Sequence, residues 1–139
     1  MGERFHIELI KASAAHERAC FSEFLKLDLS PGQPKVLSRL RYKEGYLQKE
    51  LAEYCHVEPA TMTALLAKME KKNLIRKEVT HVSGGKRAFR IYLTELGRQM
   101  AKEADKIVDE VEKKSYQGFT EEEKETLVSL LARVTNNLV

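Results

Sequence analysis

The sequence predicts a mainly helical α+β fold with one short antiparallel hairpin, and three observations support this. Apolar residues recur at three- and four-residue spacing over most of the 139 residues, as amphipathic helices require. The period changes to two in one central stretch, as in strands. Capping residues stand where the helices should begin and end. The composition, 42% hydrophobic and 32% charged, suits one globular unit over residues 1–139.

Two helices are predicted in the first part of the chain. The first spans about 5–27. The second begins with Ser30 as N-cap, Pro31 at the first helical position and Gln33 completing a capping box, and it runs to Tyr42. The predicted apolar stripe of the first helix consists of Phe5, Leu9, Ala12, His16, Ala19, Phe24 and Leu27, widened by Cys20 and Phe21.

A helix, a short turn and another helix follow. The third helix is predicted over 48–54, and His56 suits a left-handed turn because histidine is enriched in that conformation. Glu58 and Pro59 fit the start of the fourth helix, and Asn73 fits a left-handed cap at its end. The predicted buried residues are Leu51, Ala52 and Cys55 in the third helix, and Met62, Leu65, Leu66 and Met69 in the fourth.

The alternating stretch predicts a two-stranded hairpin. Its strands cover about 74–79 and 89–94, and the glycine pair at 84–85 marks the tip. Lys86 and Arg87 make one shoulder basic. The helix pair and this basic two-stranded wing form a small lobe.

Two further helices are predicted after the hairpin. Thr94 caps a helix over about 95–118, and Thr120 with Glu123 forms a capping box for the last helix. Together with the first helix they carry more apolar surface than the small lobe can cover. We therefore expect pairing with another chain; folding back within one monomer is the alternative. The residues predicted to face inward are Leu96, Met100, Ala104, Ile107, Val108, Val111, Leu127, Leu130, Leu131, Val134 and Leu138.

Composition also bears on location and partners. No run of 18 apolar residues exists, and charged residues such as Glu3 and Arg4 interrupt 1–13, so we expect neither a membrane helix nor a secretory signal and place the protein in the cytoplasm. Residues 31–97 hold 13 Lys and Arg against 7 Asp and Glu, while the remainder holds 11 against 14. This basic surplus lies where phosphate attraction requires it, although a chance imbalance of solvated charges is the alternative.

Five segments resemble the MarR (multiple antibiotic resistance regulator) family of winged helix-turn-helix transcription factors, and the resemblance covers nearly the whole chain. It implies a DNA-binding lobe at 31–97 and a helical dimerisation region formed by 1–30 and 98–139. It also implies a homodimeric, ligand-responsive repressor of a palindromic operator, with double-stranded DNA as partner and without a cofactor. The segments are Leu29-Ser30-Pro31-Gly32-Gln33, Gln48-Lys49-Glu50-Leu51-Ala52, Val57-Glu58-Pro59-Ala60-Thr61-Met62-Thr63, Leu66-Ala67-Lys68-Met69-Glu70-Lys71-Lys72-Asn73-Leu74-Ile75 and Tyr92-Leu93-Thr94-Glu95-Leu96-Gly97.

The resemblance places the fourth helix in the major groove. Threonine can donate or accept a hydrogen bond there, and its methyl group can meet the thymine methyl. Family members often have Arg where this chain has Ala64. Gln48, Lys49 and Lys68 are the phosphate candidates. Solvated helix surface is the alternative interpretation for each of these positions. The residues expected nearest the bases are Ala60, Thr61, Thr63 and Ala64.

The wing tip departs from the family pattern. The family has Asp, any residue, then Arg, whereas this chain has Gly85, Lys86 and Arg87. The resemblance implies that Arg87 enters the minor groove, but the carboxylate that helps to hold it is absent. We therefore expect a more mobile wing.

A small aromatic or lipophilic acid is the effector class that the resemblance suggests, lodged between the dimerising helices and the lobe. Ordinary packing is the alternative role for the wall residues. Cys20 and Cys55 lack CxxC spacing and are interpreted as small hydrophobic residues rather than peroxide sensors. The predicted wall residues are His16, Cys20, Phe24, Arg39 and Tyr42.

Neither a metal site nor an enzyme is predicted. A helical zinc face requires ligands paired at i, i+4, and His6, His16, His56 and His81 are not predicted to supply one. The sequence lacks GxSxG, P-loop, HExxH and dinucleotide motifs, and the acidic run at 121–125 suits a helix N-terminus. A winged-helix protein-interaction module without specific DNA binding is the alternative function.

Overall fold

The computed structural model describes residues 4–139, so Met1 and Glu3 of the signal-peptide argument lie outside it. Within this range, no helix is both long and apolar enough to cross a membrane. The helices are α1 (Phe5–Lys26), α2 (Gln33–Tyr42), α3 (Gln48–Tyr54), α4 (Pro59–Lys71), α5 (Glu95–Ser115) and α6 (Glu121–Leu138). The strands are β1 (Tyr46–Leu47), β2 (Ile75–His81) and β3 (Arg87–Leu93).

The three strands form an antiparallel sheet in the order β1-β3-β2. The hairpin of β2 and β3 confirms the predicted wing, with Val79 opposite Phe89 and His81 opposite Arg87. Strand β1 was not predicted, because two residues are too few to show a period. It places Tyr46 opposite Ile91 and ties the segment before α3 to the wing.

Most predicted helix ends are confirmed, and two are shifted. His56 and Asn73 have positive φ values of 55° and 61°, as expected for the left-handed caps. The predicted start of α2 was wrong: Gly32, with a φ of 92°, is the N-cap, and Gln33 is the first helical residue. The Gln33 Oε1 still accepts from the Ser30 N–H at 3.1 Å, which explains the capping signal. Helix α5 ends at Ser115, three residues earlier than predicted.

The core lies where α2, α3, α4 and α5 meet the sheet. All seven buried positions predicted for α3, its C-cap and α4 are buried. In α5 the buried positions are Gly97, Ala101 and Ala104, whereas Leu96 and Val108, which were predicted to face inward, are exposed. The prediction failed there because small residues form the contact between α5 and its neighbours.

Helix α6 has no buried residue. Leu127, Leu130, Leu131 and Leu138 are all exposed, so the prediction that they face inward is wrong within the single chain. Phe5 at the start of α1 is also 60% exposed. No element within the described residues 4–139 covers these side chains, and the two terminal helices present a large apolar surface.

Candidate nucleic-acid interface

The helix-turn-helix is formed by α3, a turn through Cys55 to Glu58, and α4. The turn is closed by hydrogen bonds from the Cys55 N–H to the Leu51 carbonyl at 2.9 Å and from the Val57 N–H to the Ala52 carbonyl at 3.0 Å. These bonds fix how α4 leaves α3.

The outer side of α4 carries the residues expected nearest the bases. Because Met62, Leu65, Leu66 and Met69 face the core, helical periodicity turns the intervening positions outward. The structure brings together the predicted residues on one exposed side of α4, which consists of Ala60, Thr61, Thr63, Ala64 and Lys68.

A hydrogen bond joins this side of α4 to α3. The Gln48 Nε2 donates to the Thr63 Oγ1 at 2.7 Å, and the Thr63 hydroxyl donates to the Pro59 carbonyl at 3.0 Å. The single hydroxyl proton is therefore engaged, and one lone pair and the methyl group remain for another partner. In this conformation the Thr63 hydroxyl can only accept a further hydrogen bond, whereas the sequence led us to expect that it could either donate or accept one. Lys49 is exposed at the start of α3.

The wing tip is a glycine turn that contacts little. Gly84 and Gly85 have φ values of 83° and 73°, and added Cβ atoms there would meet nothing within 4 Å. The Val82 N–H donates to the Lys86 carbonyl at 2.9 Å and closes the turn. Lys86 and Arg87 are exposed on the far side.

The feature beside the Arg87 guanidinium is an aromatic ring and not a carboxylate, among the residues that the structure describes. Within residues 4–139 it forms no ion pair, whereas its guanidinium carbon lies 5.3 Å from the centroid of the Phe89 ring. The Lys77 Nζ lies 5.6 Å from the same centroid and 3.8 Å from the Glu70 Oε1 of α4. Sequence reasoning missed Phe89, although an aromatic residue two positions after Arg on one strand was the available signal.

A groove of about 1190 Å³ lies beside the lobe, bordered by α1, α2 and the end of α3. All five predicted wall residues line it: His16, Cys20, Phe24, Arg39 and Tyr42. Sequence reasoning missed other lining residues, among them Lys35, Tyr54, Cys55 and His56. These side chains give the groove an apolar floor and a basic edge.

Arg39, in the groove wall, lies close to the rings of three tyrosines, of which Tyr42 and Tyr54 also line the groove. Its guanidinium carbon lies 3.1 Å from the ring centroid of Tyr54, 4.8 Å from that of Tyr42 and 5.4 Å from that of Tyr46. Its Nε is buried and has no hydrogen-bond partner within residues 4–139. Arg39 thus connects the groove wall to α3 through Tyr54 and to β1 through Tyr46.

The two thiols favour their protonated forms. Burial raises the pKa of Cys20, and it raises that of Cys55 despite the opposing positive charges of Lys35 and Arg39. The sequence argument about metal ligands overlooked His16 and Cys20, which stand at i, i+4 with Nε2 and Sγ 3.9 Å apart. Across residues 4–139, no three His, Cys, Asp or Glu side chains are grouped to hold a metal ion.

Comparisons with known proteins identify the family and the fold. Residues 29–81 match the sequence profile of the MarR family. The chain is 32% identical to the uncharacterized HTH-type transcriptional regulator YybA of Bacillus subtilis (strain 168), over 84% of this chain and 76% of that protein. It is 31% identical to the transcriptional regulator HosA of Escherichia coli O157:H7, over 78% and 79%. The structure of a MarR family regulator from Listeria monocytogenes, complexed with a 26mer DNA, superimposes with a TM-score of 0.87 at 23% identity and covers 99% of this chain and 90% of that one.

Proposed function

The chain belongs to the MarR family of DNA-binding transcriptional regulators, and from that premise we propose that it is a ligand-responsive repressor that binds a palindromic operator as a homodimer. The observation that carries the proposal is the exposed side of α4, which the Gln48–Thr63 hydrogen bond joins to α3, together with the exposed Lys86 and Arg87 of the wing. Regulators of this family are not enzymes.

The outer side of α4 suits entry into the major groove. Ala60 and Ala64 are small enough for close approach to base edges, and the Thr63 lone pair can accept from the N6 amine of adenine or the N4 amine of cytosine. The threonine methyl groups can contact the thymine methyl. The preferred half-site is therefore expected to contain A·T pairs opposite the middle of α4.

Cations flank this reading side. Lys49 at the start of α3 and Lys68 at the end of α4 are exposed and can reach phosphates, and Gln48 keeps a second amide hydrogen for another phosphate oxygen. Lys86 and Arg87 extend the positive surface along the wing toward the minor groove.

The uncovered apolar surface of α1 and α6 supports a homodimer. Phe5, Leu127, Leu130 and Leu131 are exposed on these terminal helices, and a monomer rarely leaves such a surface in water. A twofold axis would set two lobes for half-sites about one helical turn, or ~34 Å, apart. Light scattering should give twice the chain mass of 15.9 kDa.

The groove supports a small aromatic or lipophilic acid as effector. A carboxylate can pair with the terminal nitrogens of the Arg39 guanidinium, which lines the groove, while its apolar part packs near Phe24. Binding at Arg39 would compete with its contact to Tyr54 and so shift α3. Sodium benzoate is a suitable probe: we expect it to release DNA from the wild type, and Arg39→Gln to abolish that release. Equal release from both proteins would contradict the assignment.

A gel shift tests DNA binding itself. The probe is the DNA upstream of the protein's own gene, compared with a shuffled duplex of equal length at 50 and 200 mM salt. We expect preferential retention that weakens steeply with salt. Absence of salt-sensitive retention would favour the alternative function, a protein-interaction module. Two departures from the family pattern support that alternative: Ala64 replaces a frequent Arg, and the wing lacks the usual carboxylate.

A further inference from the structure

The Phe89 ring lies close to two cations of the wing, Arg87 and Lys77. Arg87 and Phe89 are two residues apart on β3, so their side chains share one side of the sheet. Lys77 faces the same side, because its partner Ile91 is again two residues from Phe89. The Phe89 ring is half-buried and packs against the core, whereas the turn at 83–85 is fully exposed.

We propose that Phe89 is the positioning residue for Arg87, replacing a carboxylate by a ring; this rests on the proposed function. The ring is anchored by packing, so it can restrict the rotamers of the long, exposed Arg87 side chain before DNA binds. Less conformational entropy is then lost on binding. A guanidinium stacks on an aromatic side chain while its N–H donors remain free for DNA acceptors.

The ring also leaves the charge of Arg87 unneutralised. A carboxylate partner would occupy donors of Arg87 and offset its charge, whereas Phe89 does neither. Lys77, which is near the same ring, also lies 3.8 Å from Glu70 of α4, so contacts between side chains run from the ring to the reading helix. Phe89 therefore positions Arg87 without neutralising its charge.

A double-mutant cycle tests this role. Phe89→Leu, Arg87→Ala and the double variant are titrated against the upstream duplex, with Phe89→Tyr as the variant that keeps the ring. We expect Phe89→Leu to weaken binding ~2- to 5-fold and Phe89→Tyr to bind within about 2-fold of wild type. In the Arg87→Ala background, Phe89→Leu should cause no further loss.

A purely structural role for Phe89 gives a different result. Phe89→Leu would then weaken binding equally with and without Arg87, which overturns the proposal while DNA binding stands. Arg87→Ala with wild-type affinity would overturn it in the same way. Failure of the wild type to bind any duplex in a salt-sensitive manner would overturn the proposed function as well. Thermal denaturation of each variant checks that it is folded, and the ring-current shift of the Arg87 Hε, lost in Phe89→Leu, gives a readout in the absence of DNA.

Discussion

The Gln48 amide and the Thr63 hydroxyl, 15 residues apart in sequence, form a 2.7 Å hydrogen bond that connects the start of α3 to the exposed side of α4. The same hydroxyl donates to the Pro59 carbonyl. Two side chains expected to contact DNA from the sequence are therefore already ordered against each other, which lowers the entropy that binding must remove.

Replacement of Thr63 by valine should weaken operator binding. Thr63→Val keeps the shape but removes the acceptor for Gln48 and for a base amine, and we expect a ~5- to 10-fold loss, about one hydrogen bond. Thr63→Ser keeps the hydroxyl and should lose less than Thr63→Val. Fluorescence anisotropy with a labelled duplex measures both. Equal affinities for Thr63→Val and wild type would show that the hydroxyl does not take part.

Replacement of Arg87 by alanine should reduce both affinity and salt dependence. Removing one cation that contacts a phosphate or enters the minor groove should reduce the magnitude of the slope of log K against log salt by about 1. Arg87→Lys keeps the charge and should retain the slope while losing the planar stack on Phe89. An unchanged slope for Arg87→Ala would exclude this residue from the DNA contact.

Gly97 should not tolerate a side chain. In the first turn of α5 a Cβ at this position would lie 1.9 Å from the Leu74 carbonyl oxygen, which also accepts from the Thr94 N–H. We expect Gly97→Ala to lower the free energy of unfolding by ~2–4 kcal/mol, measured by urea denaturation. Gln99→Ala, at an exposed position of the same helix, is the control and should change it by less than about 0.5 kcal/mol. Wild-type stability of Gly97→Ala would refute the close contact.

The cysteines should be unreactive in the folded protein. Because burial raises the pKa of Cys20 and Cys55, little thiolate forms at pH 8, and we expect iodoacetamide to label the native chain at least ~10-fold more slowly than the urea-unfolded chain. Mass spectrometry follows both reactions. Fast labelling, or a sulfenate formed with release of DNA in dilute peroxide, would identify a redox sensor instead.

The same pKa shifts set the sign of a pH effect. The unfolded chain loses its thiol protons first as the pH rises through the ordinary thiol pKa of about 8.5. The protonated Cys20 and Cys55 thiols contribute fully to the free energy of unfolding below that pH. This contribution is lost as the pH rises toward the higher pKa values of the folded state. The free energy of unfolding should fall less between pH 8 and 10 in a Cys20→Ala/Cys55→Ala variant than in wild type. Parallel pH profiles would contradict this.

The sequence predicted local structure correctly where the type of one or two neighbouring residues determines the backbone conformation. His56 and Asn73 adopt the left-handed conformation, and the Thr120–Glu123 capping box forms, because these signals act within a few residues. Positions that depend on distant partners were not readable. The burial of Gly97 depends on Leu74, which is 23 positions earlier in the chain.

In the candidate site, too, features set by local sequence were predicted, and those set by distant contacts were not. Helical periodicity was enough to place Thr61 and Thr63 on the outer side of α4. The contacts of Arg39 with Tyr54 and of Arg87 with Phe89 depend on side-chain packing, which periodicity does not describe. The start of α2 was misplaced because Gly32 adopts a positive φ that the Ser-Pro signal did not reveal.

The most direct test of the central claim is a selection of fragments bound by the full-length protein from random double-stranded DNA, followed by titration of the enriched sequence at two salt concentrations. Sequence-specific reading by two copies of α4 predicts one enriched inverted repeat, with half-site centres about 10 base pairs apart and salt-sensitive affinity that Thr63→Val and Arg87→Ala both reduce. Recovery of no common sequence, or of a sequence whose binding neither variant alters, would contradict the account.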